Sequence, residues 1–179
     1  MKLYIVRHGQ TEENRQRILQ GHMPGNLTEE GKKQVTTAAN NLASSGVNFK
    51  VIASSDLKRA MDSALIIAEE LHIPVIPMQI LRERDWGNYT GMPLSEAKDK
   101  YRKGDRWEFP DGSAETEEGI YARANEALCT LQEQYPDDNV IVVTHGQFAR
   151  NLIAVNFKCS YHDVAPFMNA EVRLLQRKR

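Results

Sequence analysis

The chain has 179 residues, with 23 Lys+Arg against 24 Asp+Glu and a formal net charge of -1, a size that fits one domain of roughly 100–200 residues. This balance excludes the basic field that nucleic acid or an anionic membrane attracts, so an anion must be caught locally. Two cysteines, Cys129 and Cys159, without metal-type spacing exclude a disulfide scaffold or zinc module; no apolar run approaches the ~18 residues of a membrane span or the ~7–15 of a signal-peptide core, and a cytoplasmic protein is expected.

Short apolar runs alternate with longer stretches of helical period, the pattern of an α/β domain with a mostly parallel central sheet. The first predicted strand is 3–6, and a helix follows Thr28, its cap, with Val35, Ala38, Ala39 and Leu42 on one face. A second strand, 51–53, precedes a helix whose stripe reads Leu57, Ala60, Met61, Ala64, Leu65, Ala68 and Leu71, with Ser54 or Ser55 as N-cap. After a strand at 73–78, the segment 82–112 holds both tryptophans and dense charge without clean periodicity. It reads as an excursion over one edge of the sheet, an insertion or lid. A helix at about 116–135 turns Ile120, Ala124, Ala127, Leu128 and Leu131 inward, and strand 140–143 leads to a helix after Gly146 with Phe148, Leu152 and Val155 packed on the sheet. Strand 172–175 closes the pattern, and residues 176–179 read as a frayed tail. An exposed sheet edge would allow a homodimer.

Three strands end in residues able to bind or attack an oxyanion: Arg7-His8-Gly9, Ser54-Ser55 leading to Arg59, and Thr144-His145-Gly146. Ligands of open α/β sheets bind outside the carboxyl ends of the strands, so these groups are expected to converge. Glycine after each histidine permits a sharp turn and close approach of backbone N–H groups, and the helix N-terminus at Gly146 is an anion site. Arg59 lies in a first helical turn, where the dipole disfavours a cation; either a ligand anion, or Asp56 or a carboxylate elsewhere, offsets it. Two guanidinium forks at one point suit a dianionic phosphate. Two histidines at equivalent strand ends are candidates for nucleophile or base, with a metal site including Glu83 as the weaker competitor. By spacing alone, Glu83 within Arg82-Glu83-Arg84-Asp85 reads as a solvated turn.

The blocks Leu3 to Thr11, Asn14, Leu27-Thr28-Glu29-Glu30-Gly31, Ser54 to Ala60, Leu81-Arg82-Glu83, Trp86 to Gly91 and Val143-Thr144-His145-Gly146 together resemble the histidine phosphatase, or phosphoglycerate mutase-like, superfamily over nearly the whole chain. The resemblance implies a three-layer αβα sandwich and a single domain over 1–179. It implies phosphoryl transfer with His8 as nucleophile, Arg7, Arg59, His145, Gly146 and Asn14 on the phosphate, and Glu83 as acid and then base. No cofactor or metal is implied, and the partner is a small phosphorylated metabolite. Gln10 and Thr90 stand where many relatives carry Glu. Mutases of the family are generally longer than this compact chain, so the resemblance favours a phosphatase, with α-ribazole 5′-phosphate of cobalamin assembly as one substrate; a phosphoglycerate mutase is the alternative, and a phosphate-binding module that has lost turnover is the rival of another class. The group Lys98, Lys100, Arg102, Lys103 and Arg106 beside Tyr101, Trp107 and Phe109 reads either as a grip on the substrate or as a solvated face.

Overall fold

A computed structural model describes residues 1–176. A five-stranded sheet in the order β3-β2-β6-β1-β7 is built from β1 (Lys2–Arg7), β2 (Val51–Ser54), β3 (Val75–Pro77), β6 (Asn139–Thr144) and β7 (Val172–Gln176). All pair in parallel except β7, which runs antiparallel to β1. A strand buried on both faces carries an unbroken apolar run, and β1 sends Leu3 and Ile5 to one helical layer and Val6 to the other. The helices α5 (Glu117–Gln134) and α6 (Gly146–Phe157) cover the first face; α2 (Glu29–Ala43) and α3 (Lys58–Leu71) cover the second. The result is the three-layer αβα arrangement.

The periodic stripes of α2 and α5 are buried as read, and Thr28 caps α2 by accepting from Gly31 N. The stripe of α3 needs correction. Leu65 is 54% exposed, and the inward face is Arg59, Ala60, Ser63, Ala64 and Ile67. Polar Arg59 and Ser63 take inward places because each finds buried partners there: Ser63 Oγ donates to the Arg59 carbonyl and accepts from Gly9 N, and Arg59 donates to the Gly21 carbonyl.

The segment 82–112 is more ordered than its sequence suggested. It forms a helix, α4 (Leu94–Tyr101), and a two-strand ribbon, β4 (Arg102–Lys103) with β5 (Arg106–Trp107); a short α1 (Glu12–Gln16) was also missed. Of α4 only Ala97 is buried, too little to print a period. The segment builds its own core from Trp86, Tyr89 and Ala97 with Leu19 and is tied to 17–19 through Leu19 N to Met92 O and Leu94 N to Arg17 O. It therefore walls the carboxyl ends of the strands rather than passing over a lateral edge, and those edges are β3 and β7. Residues 177–179 of the expected frayed tail lie outside the described residues. Among the described residues no helix is long and apolar enough to cross a membrane.

One close approach fixes the loop after β1. A Cβ on Gly31 would sit 2.1 Å from Gln10 O, and one on Gly9 2.5 Å from Gly31 O, so α2 starts directly on the backbone that carries the first histidine. In a helix interior Gly→Ala normally stabilises by about 1 kcal/mol. Here Gly31→Ala is expected to destabilise by about 3 kcal/mol through forced overpacking, read as a lower urea midpoint at unchanged slope. A neutral or higher midpoint would show that the two backbones separate freely.

Candidate active site

Strand register brings the first three groups together. Arg7 pairs with Thr144 and Ser54 with Val143, so His8, His145 and Ser55 each occupy the next position beyond three adjacent parallel strands. His8 N donates to Thr144 O at 3.0 Å, and the two imidazole centroids lie 5.1 Å apart. The chain reverses its order of strand addition here, because β6 returns between β2 and β1, and such a switch opens a crevice at the carboxyl ends.

His8 is 3% exposed and its Nδ1 lies 2.7 Å from Gly9 O. A carbonyl can only accept, so Nδ1 carries the proton and Nε2 keeps its lone pair. Arg59 Nε donates to that Nε2 at 3.2 Å. Burial, then Arg59 and Arg7, hold His8 well below the usual imidazole value; burial, then Arg59 and His8, do the same for His145. Both rings are thus neutral. The unfolded chain protonates both rings below about pH 6.5, whereas the fold resists, so their contribution is full above that pH and is lost as pH falls toward the folded values, at about 1.4 kcal/mol per unit per ring. The urea midpoint is expected to drop between about pH 7.5 and about pH 5.5; an unchanged midpoint would mean that the rings charge inside the fold.

Arg59 is 1% exposed and burial lowers its pKa to about 10. Asp56 is not its partner, since it forms a two-pronged pair with Arg82 at 2.7 and 2.6 Å; the carboxylates whose charge acts on Arg59 are Glu83 and Glu13. Arg59 instead donates to the carbonyls of Met23 and Gly21, which orient the fork without neutralising it. Arg7 is held through Nη1 to Phe167 O at 2.6 Å, while its Nε is buried with no partner; burial lowers its pKa as well. It lies beside Gly146, where a Cβ would be 3.4 Å from Arg7 Nε. Asn14 Oδ1 accepts from Thr11 N and Asn169 Nδ2, which turns its own NH2 to the cavity. Arg7, His8, Asn14, Arg59, Glu83 and Gly146 line one cavity of about 430 Å³.

Two expectations are corrected at the N-terminus of α6 and at Ser55. Glu83 is no solvated turn residue: its carboxylate accepts from Gln147 N at 3.1 Å, Phe148 N at 3.0 Å and Arg84 N at 2.9 Å. The first turn of α6 therefore binds the protein's own carboxylate and places it on the cavity that Arg7 and Arg59 also line, rather than offering those amides to a ligand. Neither Ser54 nor Ser55 caps α3, whose N-cap is Leu57. Ser55 Oγ lies 2.8 Å from His145 Nε2, leaving His145 Nδ1 buried without a partner.

Residues 3–179 match the family model of the histidine phosphatase superfamily, branch 1. The chain belongs to that superfamily. An uncharacterized phosphatase, PhoE, of Bacillus subtilis is 34% identical over 79% of this chain and 70% of its own length. A 2,3-bisphosphoglycerate-dependent phosphoglycerate mutase of a Methylobacterium is 30% identical over 86% of this chain and 79% of its own. The solved structure of a mycobacterial glucosyl-3-phosphoglycerate phosphatase complexed with VO3 superposes with a TM-score of 0.86 at 26% identity, covering 98% of this chain and 90% of that one.

Two residues that touch the site carry no signal in the sequence: Asn169 lies far along the chain, its Nδ2 donating to Asn14 Oδ1, and His22 has Nε2 2.9 Å from Glu83 O. Ser55, grouped with the strand ends by sequence, finds its partner His145 some ninety positions away. Of the basic group at 98–106, Lys100 pairs with Glu96, Lys103 with Glu108 and Arg102 with Asp105. Only Arg102 of that group also lines the neighbouring outer cavity of about 320 Å³, with Trp86, Trp107, Arg150 and Tyr161. Among the described residues no group of three His, Cys, Asp or Glu side chains is placed to hold a metal ion.

Proposed function

We propose that this enzyme, a phosphatase of the histidine phosphatase superfamily, hydrolyses a small phosphate monoester through a phosphohistidine on His8 without a metal ion. The observation that carries the reading is the state of His8: neutral, its Nδ1–H fixed on Gly9 O, its Nε2 beside Arg59 in a cavity that Arg7 also lines. Phosphoryl transfer asks chiefly for positioning and charge stabilisation, and buried guanidiniums supply both.

In the first step the Nε2 lone pair forms the N–P bond while the P–O bond to the alcohol breaks, and Glu83 delivers a proton to the departing oxygen. In the second, Glu83 takes a proton from water, the resulting hydroxide attacks phosphorus, and the N–P bond breaks to release orthophosphate. Arg7, Arg59, Asn14 and His145 Nδ1–H hold the phosphoryl oxygens, with Gly146 below. The Ser55 hydroxyl donates to His145 Nε2 and so keeps the proton on Nδ1.

The outer cavity, with Trp86, Trp107 and Tyr161 in its walls, suits a planar ring on the alcohol, which supports α-ribazole 5′-phosphate as a substrate. The test is phosphate release from α-ribazole phosphate, 3-phosphoglycerate and an aryl phosphate in the presence of a chelator. Chelator-resistant release is expected, with the ring-bearing esters preferred. Activity lost to the chelator would overturn the metal-free mechanism; interconversion of phosphoglycerates without release would make the protein a mutase, and binding without either would make it a phosphate-binding module.

A further inference from the structure

The backbone that carries Glu83 has no ladder of its own. It lies between two single-turn elements, at Gln79–Leu81 and Gly87–Tyr89, and four successive carbonyls are held by side chains from elsewhere. Ile80 O and Arg82 O accept from Arg123 Nη1 at 3.0 and 2.7 Å, Leu81 O from Thr144 Oγ1 at 2.7 Å, and Glu83 O from Arg123 Nη2 at 3.3 Å. Arg123 then closes a fork on Glu115, Nε to Oε1 at 2.9 Å and Nη2 to Oε2 at 2.7 Å. All its N–H donors are used in this way. The guanidinium also rests on the Phe148 ring at 4.5 Å, and the N–H of that same Phe148 binds the Glu83 carboxylate.

Glu115 holds the far side of the segment. Its Oε2 accepts from Asp85 N at 3.3 Å and its carbonyl from Arg84 Nε at 2.7 Å. Arg123 on α5 and Glu115, just before the Thr116 N-cap of that helix, thus fix the backbone on both sides of Glu83, and neither lines the phosphate cavity.

We propose that Arg123, oriented by Glu115, is the positioning residue for the acid/base step: it sets the Glu83 carboxylate against the first turn of α6 at the reach needed for proton transfer. A planar fork with five donors matches three carbonyls and a carboxylate at once, which lysine cannot do. The chemistry is sensitive to this because misplacing a catalytic group by about 1 Å costs on the order of 100-fold. The proposal rests on the acid role of Glu83 given above.

The experiment compares kcat/KM for an alkyl and an aryl phosphate in the wild type, Arg123→Met, Glu83→Gln and the double variant. Loss of placement should lower the alkyl value by about 10- to 100-fold and the aryl value by less than about 3-fold, since an aryloxide leaves without a proton. In the Glu83→Gln background, Arg123→Met should add almost nothing, because it acts through the missing acid. Arg123→Lys should recover part of the alkyl:aryl ratio. Should Arg123→Met fail to fold, Glu115→Gln keeps the guanidinium and should shift the ratio in the same direction by a smaller factor. Equal losses on both esters that add to those of Glu83→Gln would mark a merely structural ion pair and overturn the proposal, as would an unchanged ratio. Equal losses in Glu83→Gln itself would instead remove the acid, and the positioning role with it.

Discussion

Replacing His8 by alanine is expected to lower phosphatase turnover by at least about 10⁴-fold, the scale seen when a covalent nucleophile is removed, while orthophosphate binding changes by less than about tenfold. The asymmetry comes from the construction of the site. The groups that grip an oxyanion are held independently of the imidazole: Arg7 by Phe167 O, Arg59 by the carbonyls of Gly21 and Met23, and His145 by Ser55. Removing His8 frees Arg59 Nε, which then gains an N–H for the ligand. The cavity should remain an anion site that no longer reacts. Rapid acid-free quenching of the wild type with an aryl phosphate should show a phosphorylated peptide containing His8, absent from the variant. Turnover within tenfold of wild type in His8→Ala would sink the phosphohistidine mechanism, whatever the substrate.

Glu83→Gln is expected to lower kcat/KM for alkyl phosphates by about 10²- to 10⁴-fold, the usual contribution of a positioned acid, with a far smaller fall for aryl phosphates. The ratio kcat/KM is the proper readout because it ends at departure of the first product. In the proposed mechanism hydrolysis of the phosphohistidine also needs Glu83, so an aryl substrate should give a burst of phenol followed by a slow steady state. Glutamine is not neutral to the local structure. Both carboxylate oxygens accept backbone N–H bonds, so one of them must be replaced by an NH2 facing a donor, an expected cost of about 1–3 kcal/mol in stability. A urea midpoint measured in parallel separates that cost from the catalytic one. A burst-free variant with equal losses on both esters would take Glu83 out of the acid role.

These effects belong to a site whose parts differ in how they can be read. Arg7, His8, Arg59 and His145 stand in motifs next to apolar runs, and the rule that ligands meet the carboxyl ends of parallel strands was enough to expect them at one place. The helices α2 and α5 were legible for a related reason: each buries a single stripe, and burial imposes a period on sequence. Glu83 carries no such mark. Its neighbours are charged, its backbone is irregular, and by spacing it was a surface turn; only the likeness to a family singled it out before the fold was known.

What the sequence determined by itself was therefore the α/β class, the covered strands, the strand-end histidines and arginines, and the need for an anion, because hydrophobic period and local capping act over a few residues. What only the tertiary structure decided was how neutral and oriented those groups are. The tautomer of His8 depends on Gly9 O and Arg59, the binding face of His145 on Ser55 across the sheet, and the place of Glu83 on the N-terminus of α6 and on Arg123 some forty positions away. The rotation of α3, which turns Arg59 and Ser63 inward in place of Leu65, belongs to the same class. Apart from the bond of His8 to its own neighbour Gly9, each is a contact between distant segments, made by polar groups that must find partners once water is excluded, and no local pattern in the chain records which partner they will find.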